Sequence, residues 1–353
     1  MVKDVVLPDT ASTCASVTAK WNTVNKGGGS SLRGFYDGIY YSTSNVFNKS
    51  TSTLLRSSYN TTLPAGDTAK KSLTFTLPNN LNGKFYFFIV SDIYNHVNEH
   101  TSENNNASAV DSIQIVSPDM TVVNLRTSKR DTTGDTTMLH YGIANNALGL
   151  VPHKHRTDRI YMSRKATWDI DSATHIKDVS YSTSIPAGDT LNRSVSVKIP
   201  DGFDSCWYFY LHTDFHNTVF ENGADNNNIG RSDTVKIWLA PYPDLVPQWI
   251  RVPDTANAGD TATFEFLVVN NGDTTAVSNW VDRIYVSTDT ILNTSSDRLL
   301  SSIIRGNDLK KDSSYTITTV ITMPANLPAG DYYYFVVTDA DDNVYEHHGD
   351  TNN

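Results

Sequence analysis

Cysteine is scarce in this sequence, which has two, Cys14 and Cys206, among 353 residues. They occur at unrelated positions of the chain, so we do not expect a disulfide between them. We interpret both as small, partly buried apolar residues. The count alone does not assign a cellular compartment.

Long apolar runs and basic blocks are also missing. No run reaches the ~18 residues that a membrane-spanning helix needs. No signal peptide precedes Val2, so a secreted protein would contain this sequence as one piece of a longer chain. The net charge of −10 makes nucleic acid an unfavourable partner. An acidic surface is compatible with divalent cations or simply with solubility.

Catalytic sequence motifs are missing as well. The sequence has no G-x-S-x-G, no H-E-x-x-H and no phosphate-binding loop. We therefore expect a protein without enzymatic activity.

One aromatic stretch occurs three times, at Phe85–Asp92, Trp207–Asp214 and Tyr332–Asp339. Such a density of aromatic and β-branched residues in a short run predicts a strand. Every second residue is large and apolar, and we expect that face in a core and the other face half exposed. The stretch is predicted to be the central strand of a β-sandwich.

A second landmark repeats with nearly the same period. It is a D-x-I-Y-x-S stretch at Asp37–Ser42, Asp158–Ser163 and Asp282–Ser287, with spacings of 121 and 124 residues. This period indicates a tandem array. The predicted fold is all-β, with three tandem immunoglobulin or fibronectin-III-like β-sandwiches forming an elongated rod. The predicted boundaries are 1–117, 118–242 and 243–353.

Several short motifs occur in a constant order along the repeats. They are Pro-Asp-Met/Leu at Pro118–Met120 and Pro243–Leu245, the D-R-I-Y-x-S stretches, Pro-Ala-Gly-Asp, and a closing V-x-E followed by Asn-Asn. With these motifs the chain resembles the bacterial CARDB family, the cell-adhesion-related domain. The resemblance implies seven-stranded sandwiches in secreted or surface-anchored bacterial proteins, with an adhesive or spacer role and no characteristic enzymatic activity. It therefore implies an extracellular or cell-surface location.

The third repeat differs from the other two after its Asn-Asn. Repeats one and two continue with a final strand, to Val116 and to Leu239, whereas the sequence stops at Asn353. We expect the third sandwich to lack its last strand, which leaves Tyr332–Val337 with an open edge. One interpretation is a sequence cut one strand short. The other is strand donation, in which Val2–Leu7 of a neighbouring copy completes the sheet and builds a fibre.

A loop rich in oxygen ligands follows each aromatic strand. Carboxylates and amide oxygens at this density suit calcium, which takes six to eight hard ligands. The alternative is turn chemistry, because Asp and Asn side chains bond nearby backbone N–H groups. The candidate carboxylates are Asp92, Glu99 and Glu103; Asp214, Glu221 and Asp225; and Asp339, Asp341, Asp342, Glu346 and Asp350.

Other aromatic residues are candidates for stacking against sugars, with ordinary packing as the alternative. They are Trp168, Trp249, Trp280 and Tyr242. The leading hypothesis for function is a non-enzymatic stalk or fibre subunit outside a bacterial cell. Its partners would be further copies of itself, or a glycan or protein of a host or cell surface. The alternative is a carbohydrate-binding accessory region of a secreted enzyme.

Overall fold

The computed structural model describes residues 1–99, 103–108, 110–277, 279–347 and 351–353. These residues form 23 strands and three short 3₁₀ turns, at Glu103–Asn105, Ile170–Ser172 and Asp225–Asn227. No α-helix occurs among them. The predicted all-β fold is confirmed.

The first part of the chain forms two sheets. Its strands are β1 (Val2–Val6), β2 (Thr10–Ser12), β3 (Ser16–Val24), β4 (Phe35–Ser42), β5 (Thr53–Asn60), β6 (Thr68–Thr76), β7 (Gly83–Val90) and β8 (Asp111–Val116). One sheet has the order β1-β3-β6, and the other has the order β2-β8-β7-β4-β5. The pairs are antiparallel except β2 with β8, which is parallel.

The middle part repeats this arrangement. Its strands are β9 (Met120–Arg126), β10 (Arg130–Thr132), β11 (Thr136–Asn145), β12 (Arg156–Ser163), β13 (Thr174–Tyr181), β14 (Thr190–Lys198), β15 (Ser205–His212), β16 (Ile229–Arg231) and β17 (Val235–Trp238). The sheet orders are β14-β11-β9 and β10-β17-β15-β12-β13, with β16 pairing β15 outside this path.

The last part also has two sheets, each with three strands. Its strands are β18 (Leu245–Arg251), β19 (Thr261–Asn270), β20 (Trp280–Ser287), β21 (Arg298–Arg305), β22 (Ser314–Thr322) and β23 (Tyr333–Val337). The sheet orders are β18-β19-β22 and β21-β20-β23. Strand β8 pairs with β7, and β16 and β17 pair with β15, on the side away from the D-x-I-Y-x-S strand. The described residues form no equivalent strand beside β23.

The aromatic strands supply the core as predicted. Phe87 and Ile89 of β7, and Phe209 and Leu211 of β15, are fully buried. In β23 the equivalent side chains, at positions 334 and 336, are partly buried against a core that contains Phe264, Phe266 and Trp280. The predicted central position holds for β7 and β15, whereas β23 lies at a sheet edge in the described part of the chain.

The other face of the aromatic strand differs from the expectation that it is half exposed. It is not half exposed in the first two parts, because the connection after the D-x-I-Y-x-S strand covers it. Phe47 packs against Phe88, with ring centroids 5.4 Å apart, and Trp168 packs against Tyr210 at 5.2 Å. Both covered rings are buried, whereas Tyr333 of β23 keeps 45% of its surface exposed. The expectation is correct for the last part only.

The donor segment proposed for strand exchange is already paired. Val2–Val6 forms β1, which lies antiparallel to β3 of the same chain, and Val2 is buried in the core. Donating this segment to another copy would remove it from its own sheet. The hypothesis that Val2–Leu7 is a free donor strand is therefore wrong.

Residue contacts divide the chain into two compact units. The first contains Met1–Arg130, Thr136–Lys198 and Cys206–Lys236, and the second contains Asp131–Asp135, Ile199–Ser205 and Ile237–Asn353. The three predicted domain boundaries and the rod remain predictions.

Both cysteines are free thiols. Cys14 is partly buried, as expected, whereas Cys206 is exposed, contrary to expectation.

None of the helical turns in the described residues is long and apolar enough to span a membrane.

Candidate functional site

The loop after each aromatic strand begins with an aspartate in the left-handed backbone region. Asp92, Asp214 and Asp339 have φ values of 50°, 44° and 44°. Each carboxylate accepts hydrogen bonds from groups four and five residues later in the chain. For Asp339 the donors are the backbone N–H groups of Asn343, at 3.0 Å, and Val344, at 2.7 Å. These three carboxylates close a turn, which is the alternative chemistry considered for the loop.

The same loop then holds the start of the first strand of its own part through a buried glutamate. One carboxylate oxygen of Glu221 accepts from the backbone N–H of Met120 at 2.5 Å, and the other accepts from the Asn228 amide at 2.9 Å. The neighbouring Asn227 amide donates to Asp119 at 2.8 Å. Burial raises the pKa of Glu221 to about 7, against the opposing effect of the bond from Met120.

The last part of the chain repeats this contact. The Glu346 carboxylate accepts from the backbone N–H of Leu245 at 2.9 Å, and the Asn352 amide donates to Asp244 at 3.1 Å. Met120 and Leu245 are both fully buried. We call 117–120 and 242–245 the leading segments, and the Glu and Asn contacts that hold them the loop clamp.

In the first part of the chain, the residues at the positions equivalent to the loop clamp lie beside a cavity. Glu99 and Asn105 line a cavity of about 430 Å³, together with Met1, Asn25 and Phe35. The Met1 amino group donates to the carbonyl of Val24 at 3.1 Å. Burial lowers the pKa of this amino group, and the negative charge of Glu99 opposes that shift.

A second set of polar residues lies inside the cores. The aspartate of each D-x-I-Y-x-S strand is buried and accepts hydrogen bonds from neighbouring strands. Asp158 accepts from Thr213 at 2.8 Å and from Tyr181 at 3.1 Å. Burial raises the pKa of Asp158 to about 6. Asp282 has equivalent partners in Tyr315 and Thr338, and burial raises its pKa as well.

The remaining predicted calcium ligands do not converge in the described structure. Asp341 forms an ion pair with Arg283 at 2.6 Å, and Asp225 lies in a 3₁₀ turn. Asp342 has a φ of 53°, which fits a turn residue. Asp350 and the side chain of Glu103 lie outside the described residues. Within the described ones, no group of three or more His, Cys, Asp or Glu side chains could hold a metal ion. Calcium binding by these loops stays a prediction.

The four candidate sugar-stacking residues have different surroundings. Trp280 is fully buried and its indole N–H donates to the Tyr315 hydroxyl at 3.3 Å, so it is a core residue and not a platform. Trp168 covers Tyr210, as described above. The Arg251 guanidinium lies 4.3 Å above the Trp249 ring, and Tyr242 packs edge-on against His347 at 5.3 Å.

A different aromatic cluster is more exposed. Tyr36, Tyr59, Tyr94 and His96 lie together on the first part of the chain, with the Tyr36 ring 5.1 Å from Tyr59 and 5.5 Å from Tyr94. Tyr59 and Tyr94 each expose more than half of their surface. We call these four residues the tyrosine patch. No sequence motif marks this patch, because its members come from three separate segments of the chain.

The loop clamp was also missed as a unit. Its glutamates were predicted as metal ligands, and its leading segments were used only as family motifs. A signal was present, since Met120 to Glu221 and Leu245 to Glu346 are both 101 residues apart.

Comparison with known proteins identifies a family for one part of the chain. Residues 242–353 match the family model described as CARDB. The resemblance inferred from the sequence is confirmed for this stretch. No curated protein matches the chain.

Solved structures give weak similarities. A Pyrococcus furiosus CARDB domain, crystallised in complex with di-metal ions, is 18% identical, covering 35% of this chain and 96% of that chain with a TM-score of 0.27. Its solution NMR structure is 17% identical, covering 34% and 94%, with a TM-score of 0.25. Red sea bream transglutaminase is 8% identical, covering 67% and 31%, with a TM-score of 0.23.

Proposed function

We propose that this chain, whose residues 242–353 match the CARDB family, is a non-enzymatic adhesion or spacer segment exposed on a bacterial surface. The observation that carries the proposal is the CARDB match. The first two parts of the chain add support, because they use the same strand arrangement around the same aromatic strand. In this role the protein presents side surfaces and separates its ends, and it turns over no substrate.

Surface exposure and shape provide the test. Antibodies against the purified chain should label intact cells of the producing bacterium, and brief protease treatment of those cells should remove the signal. Small-angle scattering of the chain should give a maximum dimension above ~100 Å, which three ~35 Å sandwiches placed end to end would reach. Labelling only after lysis would overturn the surface assignment, and a compact particle would overturn the spacer role.

We also propose that β23 pairs with β23 of a second copy. In the described residues β23 pairs with β20 on one side, whereas β7 and β15 have strand partners on both sides. An uncovered edge strand presents unpaired N–H and C=O groups that favour pairing with another chain. Antiparallel pairing of two identical edges gives a symmetric contact.

A second candidate function is carbohydrate binding, and the tyrosine patch favours it. Exposed tyrosine rings present flat apolar faces with polar tips, which suit the mixed surface of a sugar ring. The patch is specific to the first part of the chain, because Thr157 and Ser180 form the cross-strand pair equivalent to Tyr36 and Tyr59.

Glycan-array binding tests this candidate. Binding that is lost in a Tyr59→Ala, Tyr94→Ala double variant, and kept in a Tyr333→Ala control, would support it. Binding that survives the double variant would exclude the patch, and an array without any signal would count against carbohydrate binding altogether.

A further inference from the structure

Two lysine ammonium groups lie beside the exposed rings of the tyrosine patch. The Lys71 ammonium donates to the carbonyl of Tyr59 at 2.8 Å, and the Lys49 ammonium donates to the carbonyl of Ile93 at 2.8 Å. Ile93 is bonded directly to Tyr94 in the chain. Each ammonium is therefore held at the backbone of one of the two rings that expose more than half of their surface.

The charges of these lysines are not neutralised by ion pairs. No carboxylate of the described residues pairs with Lys49 or Lys71. An ammonium has three N–H donors, and the bond to a backbone carbonyl uses one of them. The Asp92 carboxylate in the adjoining loop is buried and accepts the N–H groups of His96 and Val97 at 2.9 and 2.8 Å, so its oxygens are engaged with the backbone. The surface of the patch therefore carries net positive charge.

A third cation follows from the position of the Tyr59 ring. A Cβ atom on Gly34 would collide with the Tyr59 hydroxyl, so the ring extends across the backbone of this glycine. Arg33 precedes Gly34, is exposed, and forms no ion pair with a described residue. We call Arg33, Lys49 and Lys71 the cationic rim.

The acidity of the chain is concentrated away from this patch. Residues 1–117 contain nine Lys and Arg residues against eight Asp and Glu residues, whereas residues 243–353 contain six against sixteen. The negative net charge thus belongs to the last part of the chain. An anion that approaches the first part meets no comparable surplus of negative charge there.

The combination of exposed rings and a cationic rim is confined to the first part. Arg193 takes the strand position of Lys71 in the second part, and Ile317 takes it in the last part. The Arg193 guanidinium lies 4.1 Å from the centre of the Tyr181 ring, which is a partner within its own fold. A ligand that needs both features would therefore bind the first part alone.

We propose that the tyrosine patch and the cationic rim together bind an acidic polysaccharide, in which the sugar rings carry carboxylate or sulfate groups. A sugar ring would stack on the exposed faces of Tyr59 and Tyr94, and its anionic group would accept hydrogen bonds from the rim. A lysine ammonium is a compact point charge, which suits either anion. The inference rests on the carbohydrate-binding candidate above and adds the class of sugar.

Isothermal titration calorimetry of the full chain with polygalacturonate, dextran sulfate and uncharged dextran tests the class of sugar. At least one anionic polymer should bind ten or more times more tightly than dextran, and the one that binds identifies the anion. Raising the salt from ~50 to ~300 mM should weaken this binding. Glycan-array binding of neutral sugars, with neither anionic polymer bound, would overturn the acidic class and leave carbohydrate binding standing.

Matched lysine variants separate the rim from general charge attraction. A Lys49→Gln, Lys71→Gln double variant should weaken binding about three- to tenfold, as expected for two exposed charge contacts. The Lys20→Gln, Lys70→Gln double variant removes the same charge from exposed positions of β3 and β6 and should leave the affinity unchanged. Equal weakening in both double variants would overturn the proposal.

Two further variants guard against indirect effects. Lys49→Arg with Lys71→Arg keeps both charges and should keep the affinity within about twofold. Tyr59→Ala with Tyr94→Ala should abolish binding of the anionic polymer while the lysines remain. Loss of binding in the Arg variant, or binding that survives the loss of both rings, would contradict a joint site.

Discussion

The backbone N–H of Met120 donates to the carboxylate of Glu221 at 2.5 Å, and so the first residue of β9 is held by a loop 101 positions later. Leu245 and Glu346 repeat this relationship at 2.9 Å with the same separation. These contacts join the two ends of a repeat in space.

Glu221→Ala should destabilise the first unit. It removes the acceptor of a buried backbone N–H, and an unsatisfied buried donor costs about 1–3 kcal/mol. Urea unfolding monitored by tryptophan fluorescence measures the loss. Glu221→Gln is the matched control, since its side-chain oxygen can still accept from the N–H of Met120, and it should cost less. An equal loss in both variants would show that the bond to Met120 adds nothing.

Asp158→Asn should flatten the dependence of stability on pH. The pKa of Asp158 is raised by burial from 3.8 to about 6, so the folded state binds the proton more tightly than the unfolded state. The resulting stabilisation is complete below pH ~4 and is lost as the pH rises through about 6. The shift corresponds to on the order of 3 kcal/mol. The free energy of unfolding of the parent and the variant is measured at pH 4, 5, 6 and 7. An equal dependence of this free energy on pH in both proteins would contradict the prediction.

Gly149→Ala and Gly29→Ala should differ strongly. The first places a Cβ 2.3 Å from the carbonyl carbon of Ser117 and should cost about 1–3 kcal/mol through overpacking. The second meets nothing within 4 Å and should change stability by no more than about 0.5 kcal/mol. Thermal unfolding of both variants measures the contrast. Similar losses would show that the close approach of Ser117 to Gly149 carries no cost of its own.

Calcium binding by the loops can be decided by thermal unfolding in ~10 mM calcium and in chelator. A site of the affinity typical of extracellular modules would add about 1–3 kcal/mol. The calcium prediction requires this rise, and requires it to be smaller in Asp342→Asn, which removes one carboxylate of the third loop. That variant keeps a residue type that tolerates the φ of 53° at this position. An unchanged midpoint would leave the loops as hydrogen-bonded turns.

Tyr333→Lys should weaken self-association through β23 without changing stability greatly. Tyr333 is exposed on the edge strand, and lysine on an edge strand disfavours pairing with another sheet. Sedimentation velocity over a range of concentrations measures the association. If parent and variant associate equally, or if the parent stays monomeric, β23 is not the pairing edge.

The sequence was sufficient for the elements that repeat with a strong local pattern. The density of aromatic and β-branched residues in Trp207–Asp214 and its counterparts predicted these strands, and the apolar residue at every second position predicted their core face, because both are local properties. The outer face was mispredicted, since Phe47 and Trp168 cover it from connections whose sequences carry no periodic signal. The paired state of Val2–Val6 was missed because a short terminal strand has few residues to show alternation.

Less of the candidate site than of the fold could be predicted from the sequence. The aspartates that begin the loops accept from nearby N–H groups, as the turn alternative predicted, whereas the backbone donors to Glu221 and Glu346 lie on distant segments. Met120 gives no chemical hint that its N–H is bound by Glu221. The tyrosine patch has the same difficulty, since Tyr36 and Tyr94 meet only through the tertiary fold.

The clamp also has a mechanical meaning. A force applied to the chain at Met120 or Leu245 acts on the hydrogen bond to the glutamate before it can separate β9 or β18 from the neighbouring strand. This hydrogen bond therefore resists mechanical unfolding of the repeat.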